Sequence, residues 1–420
     1  MKIQRTLRKC IYIGLLGFCS QAVILPLVVT PVYAAEKAEK ISPKVGKPLK
    51  KARGLMEAKK WKEALAATQE VAAIPNKTVT EEAIVNEMLA YCMMNLNDHA
   101  GAAAIYEKML AGNQFKQEDI PKRQLTISQL YLSLKNYPNS IKYAELYLQK
   151  NSGDLEVMRQ LGETYYLNND FARAETVTQA LLSRAQQKGI AAKEEWLKLL
   201  LSAQYKQNKK PEIIATLEQL LTRFPSDQYW SNMFTYASDS SFSDRQIMIY
   251  LRLLHDRGLM DTNEYIEMAE LALAVNNPGD AATYLDEGFS KGKLGVGEQK
   301  DRQIKLRNLA KQQSAEDLAT LPSLEKEALA KPTGEALIKI GEAYLGHGQY
   351  QNAINALSKG LQKGGIKNQD DVQINIGIAY LALNKKEEAI KAFKSVPANS
   401  KLALMSRLWT IHANTAKVPA

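Results

Sequence analysis

Histidine and cysteine, the side chains that most often build metal and nucleophile sites, number four and three in 420 residues. No HExxH, GxSxG, phosphate-binding Walker loop or CxxC occurs in the chain, which excludes the motif-bearing zinc-protease, serine-hydrolase, P-loop and thiol-redox classes. Glycine (23) and proline (14) are too sparse for the many tight turns of an all-β chain. Apolar residues at 45% and charged residues at 24% are ordinary for a folded soluble protein, so disorder is excluded as well. Cys10 and Cys19 fall in the N-terminal segment, and Cys92 alone has no partner for an internal disulfide. It reads as a small apolar filler.

What is present begins with an export signal. Lys2, Arg5, Arg8 and Lys9 form a basic region, Ile11 to Val32 carry no charge, and Val32-Tyr33-Ala34 places small residues at −3 and −1 of a cleavage site after Ala34. Residues 1–34 are therefore read as a cleavable signal peptide leading to the periplasm. The alternative is an uncleaved anchor in the inner membrane with the chain facing the periplasm, since the apolar run is long enough to span. Pro26 and Pro31 interrupt that run and favour cleavage. Phe18 before Cys19 is too bulky for lipidation of that cysteine.

The formal charge of +10 falls to +6 without the signal, and Glu36 to Lys60 carries nine Lys or Arg against three acids. The basic excess thus sits at one end, with no stripe along the chain for a nucleic acid. Residues 35–48, with Pro43, Gly46 and Pro48, read as a flexible basic leader. The basic residues of 37–60 suit weak contact with an anionic membrane surface or an acidic partner, or else are simply solvated.

The rest is repetitive. A large apolar residue, a small one, then an aromatic three positions on recur about every 36 residues, followed by an Ala on a second helix. The clearest copy is Ile340-Gly341, Tyr344, Tyr350, Ala353, Leu357; the next is Ile376-Gly377, Tyr380, Ala389, Phe393. Upstream stand Leu161-Gly162, Tyr165, Phe171, Ala174 and Ile127-Ser128, Tyr131, Tyr137, Ala144, with weaker copies at Leu89-Ala90, at Ala52 and at Leu201-Ser202. At an offset of 72, Met268-Ala269 maps onto Ile340-Gly341, Ala281 onto Ala353 and Gly288 onto Gly360. The small residue lets two antiparallel helices approach closely, and this pattern resembles the tetratricopeptide repeat. The predicted fold is all-α, a tetratricopeptide-repeat α-solenoid of about ten helix pairs. Its parts are an N-terminal array over 49–225, a divergent helical repeat over 226–262, a C-terminal array over 263–397 with one divergent repeat near 298–332, and a capping helix and tail over 398–420. Glycines 258, 288 and 360 are assigned to helix C-caps.

Tyr344-Leu-Gly-His-Gly-Gln-Tyr350, Lys359-Gly-Leu-Gln-Lys-Gly-Gly365, Gly377-Ile-Ala-Tyr380, Arg407-Leu-Trp409 and Asp244-Arg245 with Tyr265 and Glu267-Met-Ala-Glu-Leu271 carry a further likeness. Over nearly its whole mature length the chain resembles periplasmic tetratricopeptide-repeat proteins of Gram-negative bacteria. The resemblance implies a non-enzymatic periplasmic helper associated with TonB-type energy transduction. It transfers no individual functional residue.

No histidine has a second ligand at metal spacing, and His99 and His347 fall at turns between paired helices. The acid pairs Glu81-Glu82 and Glu387-Glu388 open helices, where the dipole favours them. No catalytic residue, metal or cofactor is assigned. What remains is a groove lined by the first helix of each pair. Its ninth and twelfth repeat positions give Tyr91 and Met94, Gln129 and Leu132, Glu163 and Tyr166, and Lys206, with Arg159 at a fifth position. Aromatic and Arg side chains suit protein binding, while packing against the adjacent repeat is the competing role. Leu125 with Gln129, Leu199 with Ala203 and Ile338 with Glu342 do not supply the Lys and Asn of a terminal-carboxylate clamp. The reading is a scaffold or adaptor binding partner proteins. The alternatives are a scaffold for outer-membrane or exopolysaccharide assembly and, more remotely, a cell-wall-active enzyme.

Overall fold

The computed structural model describes residues 41–415. The signal segment, the start of the basic leader and the last five residues lie outside them. Among the described residues there are twenty α-helices and no strand. They form two compact units, parted at Lys209 and Lys210, one helix before the boundary at 225 that the repeat pattern suggests.

The first unit stacks four antiparallel pairs and a ninth helix. These are α1 (Pro43–Glu57) with α2 (Trp61–Ala72), α3 (Val79–Asn95) with α4 (His99–Ala111), α5 (Ile120–Ser133) with α6 (Tyr137–Lys150), α7 (Leu155–Leu167) with α8 (Phe171–Gln187), and α9 (Glu194–Lys206). The end of the leader is ordered rather than flexible: Pro43 takes an N-terminal helix position, and Val45 and Leu49 are buried. Proline there gives up a donor that no helix could use. Helix starts are set by short polar side chains. Thr78 and Glu81 make a reciprocal capping box on α3, and Asp98, Asp154 and Asp170 accept backbone N–H bonds at the starts of α4, α7 and α8.

The turn between paired helices reuses one backbone conformation. Lys59, Asn97, Lys135, Asn169 and Asn208 all have φ between 55° and 61°. Asparagine tolerates this left-handed region better than most residues. Behind the turn, the small position works as the pattern demands. A Cβ on Gly162 would lie 2.9 Å from Thr178 Oγ1 on α8.

The second unit holds α10 (Lys210–Arg223), α11 (Asp227–Ala237), α12 (Asp244–Asp256), α13 (Thr262–Ala274), α14 (Pro278–Ser290), α15 (Lys300–Ala330), α16 (Glu335–Gly346), α17 (Tyr350–Lys363), α18 (Gln369–Ala382), α19 (Lys386–Lys394) and α20 (Ala403–Thr415). α13 with α14, α16 with α17, and α18 with α19 are the pairs. α20 is the capping helix: its Trp409 is fully buried and stacks on Phe393 at 5.8 Å.

Two expectations change here. The stretch near 298–332 is one helix of 31 residues, not a divergent pair. Between Lys300 and Ala330 there is no glycine and no Asn-Asn or Asn-Asp step to make the left-handed turn, so good helix formers run on past Pro322. Four buried residues, Gln303, Ala310, Leu321 and Ala328, fix it. His347 Nε2, in a buried side chain, meets Asp317 Oδ2 at 2.8 Å and ties α15 to the end of α16. Secondly, Gly258 does cap α12 with φ 67°, but Gly288 and Gly360 lie inside α14 and α17. They are close-contact positions: a Cβ would sit 2.7 Å from Leu294 Cδ1 and 2.5 Å from Ile338 Cδ1. The left-handed caps are Gly292 and Gly364, four residues further on.

Candidate protein-binding groove

The groove positions of the first unit divide into three groups. Met94 and Gln129 are buried, at 8% and 9% exposure, and Met94 packs with Ala102, Tyr106 and Ile127. These two belong to the interior, because the twelfth position of α3 and the ninth of α5 face neighbouring side chains before solvent. Tyr91 and Leu132 are half-buried; Tyr91 lies edge-on to Trp61 at 5.6 Å. Arg159, Glu163 and Tyr166 are half-buried too, each joined to further side chains, and Lys206 is exposed.

Arg159 is held in a fork between Glu156 and Glu163, its Nε 3.0 Å from Glu156 Oε1 and its Nη1 2.5 Å from Glu163 Oε1. Spacings of three and four residues put the three on one face of α7. Burial raises the Glu163 carboxyl above the usual range, with Arg159 offsetting part of the rise. Burial opposes the Arg159 charge, but the two carboxylates more than compensate and hold its pKa up. Removing Arg159 therefore leaves two carboxylates on this face without their shared cation.

Tyr166 and Lys206 come together through a third side chain. The Tyr166 ring meets Phe171 edge-to-face at 5.3 Å, and Lys206 Nζ stands 5.9 Å from the same ring. Phe171, a repeat landmark by sequence, thus joins the site as the support under two groove residues. A cation near an aromatic face and a half-buried tyrosine make an amphipathic contact surface.

Other polar ties escaped the sequence reading. Arg123, 2% exposed, pairs with Glu87 and lies over the rings of Tyr106 and Phe115 at 5.4 and 5.5 Å. Tyr143 donates to Glu107 Oε1 at 2.8 Å, and buried Glu175 accepts from Lys209 at 2.7 Å. The readable signal was spacing: the first two pairs are each separated by 36 residues, one repeat length.

In the second unit the equivalent positions look different. Ile338, Glu342 and Leu345 on α16 and Ile374 and Ile378 on α18 are all 8% exposed or less. The face is covered by α12. Arg245 pairs with Glu342, Gln246 donates to Asp371 Oδ1 at 3.1 Å, and Arg252 reaches Asn375 Oδ1 at 3.5 Å. On α13 the equivalent Ile266, Glu270 and Leu273, and Leu381 on α18, are half-buried, so the covered stretch of the second unit is α16 and the first part of α18. Among the described residues no group of three or more His, Cys, Asp or Glu is placed to hold a metal ion, and no helix is long and apolar enough to cross a membrane.

Residues 338–402 match the tetratricopeptide repeat family. This segment, α16 to the start of α20, is tetratricopeptide-repeat sequence. Among the described residues, α1 to α8 and α13 with α14 follow the same helix-pair plan. No curated protein matches the sequence. Among solved structures, a tetratricopeptide repeat protein from Parabacteroides merdae is similar at 11% identity and a TM-score of 0.33, over 88% of this chain and all of that one. A structure of Naa15/Naa10 bound to HypK-THB is similar at 15% identity and a TM-score of 0.35, over 86% of this chain and 60% of that one. The TPR2AB-domain:pHSP90 complex of yeast Sti1 is similar at 9% identity and a TM-score of 0.25, over 71% of this chain and all of that one.

Proposed function

We propose that the protein is a non-catalytic scaffold that docks a partner protein along the groove face of its first unit. The observation that supports this reading is the pair of partly exposed clusters, Arg159 with Glu156 and Glu163, and Tyr166 with Phe171 and Lys206, on the groove face of the first unit. Tetratricopeptide-repeat arrays offer such a face to extended or helical segments. The finer setting rests on the sequence. The N-terminal signal supports a periplasmic setting, and the resemblance to periplasmic members supports a role beside a TonB-type transport complex.

A photo-reactive residue at Tyr166, compared with one at exposed Ala180 on α8, tests the placement in intact cells. One identified partner should crosslink from 166 and not from 180. Replacing Arg159 and Tyr166 together with Ala should weaken that capture by about 2 kcal/mol or more, as for interface anchors generally, with helicity unchanged. Equal crosslinking from both positions, or full capture by the double variant, refutes the groove. Fractionation of spheroplasts checks the compartment separately.

A further inference from the structure

A cleft of about 320 Å³ opens in the second unit where three stretches of chain far apart in sequence meet. They are the start of α12, the α17–α18 connection with the first turn of α18, and the segment before α20. Gln246, Lys367, Asn368, Asp370, Asp371 and Lys401 supply its polar groups. Asn368 stands at the N-cap of α18 but makes no side-chain cap bond, so N–H groups of the first turn are left for another acceptor. Lys367 and Lys401 are exposed and put two positive charges on the lining.

Asp371 decides what the cleft can hold. The residue is 3% exposed, its Oδ1 accepts from Gln246 Nε2 at 3.1 Å, and its Oδ2 is buried without a hydrogen-bond partner. Asp280 of the same unit, by contrast, is met by both Arg252 and Asn277. A buried carboxylate oxygen left without a donor costs free energy, which a ligand donor would recover. Burial pushes the Asp371 carboxyl above the usual range, while the Gln246 bond and the Arg245 charge pull it back. Charge then narrows the ligand. A divalent cation would meet two lysines, and a simple anion would meet two aspartates. A molecule carrying both signs suits both. The volume lies at the small end of the roughly 300–1,000 Å³ of ligand sites, which suits a ligand of one or two residues and not a protein segment.

We propose that this cleft binds a small zwitterion, an α-amino acid or a dipeptide. The ligand ammonium donates to Asp371 Oδ2, and the ligand carboxylate is held by Lys367, Lys401 and the uncapped first turn of α18. This site goes beyond the docking face of the first unit and does not depend on it. Because its walls come from three separate stretches of chain, an occupied cleft ties them together and stabilises the second unit by mass action.

The probes are L-alanine and L-alanyl-L-alanine, titrated into the full chain by calorimetry up to the millimolar range. At least one should bind saturably and raise the melting temperature, and which of them does so assigns the ligand as amino acid or dipeptide. N-acetylation of the bound probe removes the ammonium and should weaken binding at least about tenfold, as loss of a hydrogen bond between charged groups does. Asp371→Asn should weaken it by a similar factor. Amidation of the probe carboxylate, and Lys401→Glu in the chain, should each weaken it severalfold. Lys401 is exposed, so that variant keeps the test standing if Asp371→Asn does not fold. The proposal is overturned if neither probe binds, if the acetylated probe binds as well as the free one, or if folded Asp371→Asn binds like the wild type. Calcium chloride is the control for a cation site: saturable calcium binding that Asp371→Asn removes, with no response to either probe, overturns the zwitterion.

Discussion

Arg252 on α12 and Asp280 at the start of α14 form an ion pair with both side chains more than nine-tenths buried, at 7% and 6% exposure. Asn277 donates a second hydrogen bond to the same carboxylate at 2.7 Å. Taking one charge away leaves the other buried and unpaired, which typically costs 3–5 kcal/mol, far more than loss of a surface pair. Arg252→Met should therefore destabilise the second unit by about 3–5 kcal/mol. Arg252→Met combined with Asp280→Leu should recover most of that loss, because neither charge then remains inside. Guanidinium unfolding of the three proteins checks both statements, and additive losses in the double variant would contradict the pairing.

Close contact at the small repeat position gives a second contrast. A Cβ on Gly377 would lie 2.3 Å from Phe393 Cε1 of the partner helix, whereas Gly54 in α1 has nothing within 4 Å. Gly377→Ala should cost about 1–3 kcal/mol through overpacking. Gly54→Ala should stabilise by up to roughly 1 kcal/mol, since alanine is the better helix former and meets no neighbour. Thermal melts of the two single variants give opposite shifts if the contact, and not glycine itself, is what matters.

A pH effect follows from His255. Burial alone would lower its pKa, but Asp256 and Glu287 favour the imidazolium and carry it above the usual value. Glu287, which also pairs with Lys291, is correspondingly lowered, and the Tyr284 ring packs on His255 at 4.9 Å. A folded-state pKa above the unfolded one stabilises fully below roughly pH 6.5 and is lost as pH rises through the folded value. The stability difference between wild type and His255→Gln should thus be largest in mild acid and shrink above neutrality. Urea midpoints across that range measure it; a difference that grows with pH would refute the assignment.

Much of this architecture could be read from residues. Gly341, Gly377 and Gly162 declare helix pairs because only a minimal side chain fits between Leu357, Phe393 or Thr178 and the facing backbone. The 72-residue offset located equivalent glycines correctly, yet Gly288 and Gly360 were misassigned as caps, since a glycine inside a helix and one ending it look alike until the packing is seen. The 300–330 stretch kept an apolar stripe, and a stripe alone does not say where a chain reverses. Groove residues were only half legible. Periodicity puts Met94 and Arg159 on comparable faces, but whether a neighbour covers them depends on tertiary contacts. Nothing local announced where α12 would pack, because Arg245 pairs with Glu342, 97 positions away, and Arg252 reaches both Asp280 and Asn375, 28 and 123 positions away.

The recurring hairpin turn has a practical corollary. At Asn97, Asn169 and Asn208 its twisted backbone is carried by a residue suited to it, but at Lys59 and Lys135 it is carried by lysine, with φ of 56° at both. A lysine held there bears a conformational penalty on the order of 1 kcal/mol that glycine would not. Both side chains are exposed and make no demand on the interior. Two turns at the rim of the first unit thus stand open to an engineer who needs a hardier protein, Lys135→Gly leaving the basic segment before Lys60 intact.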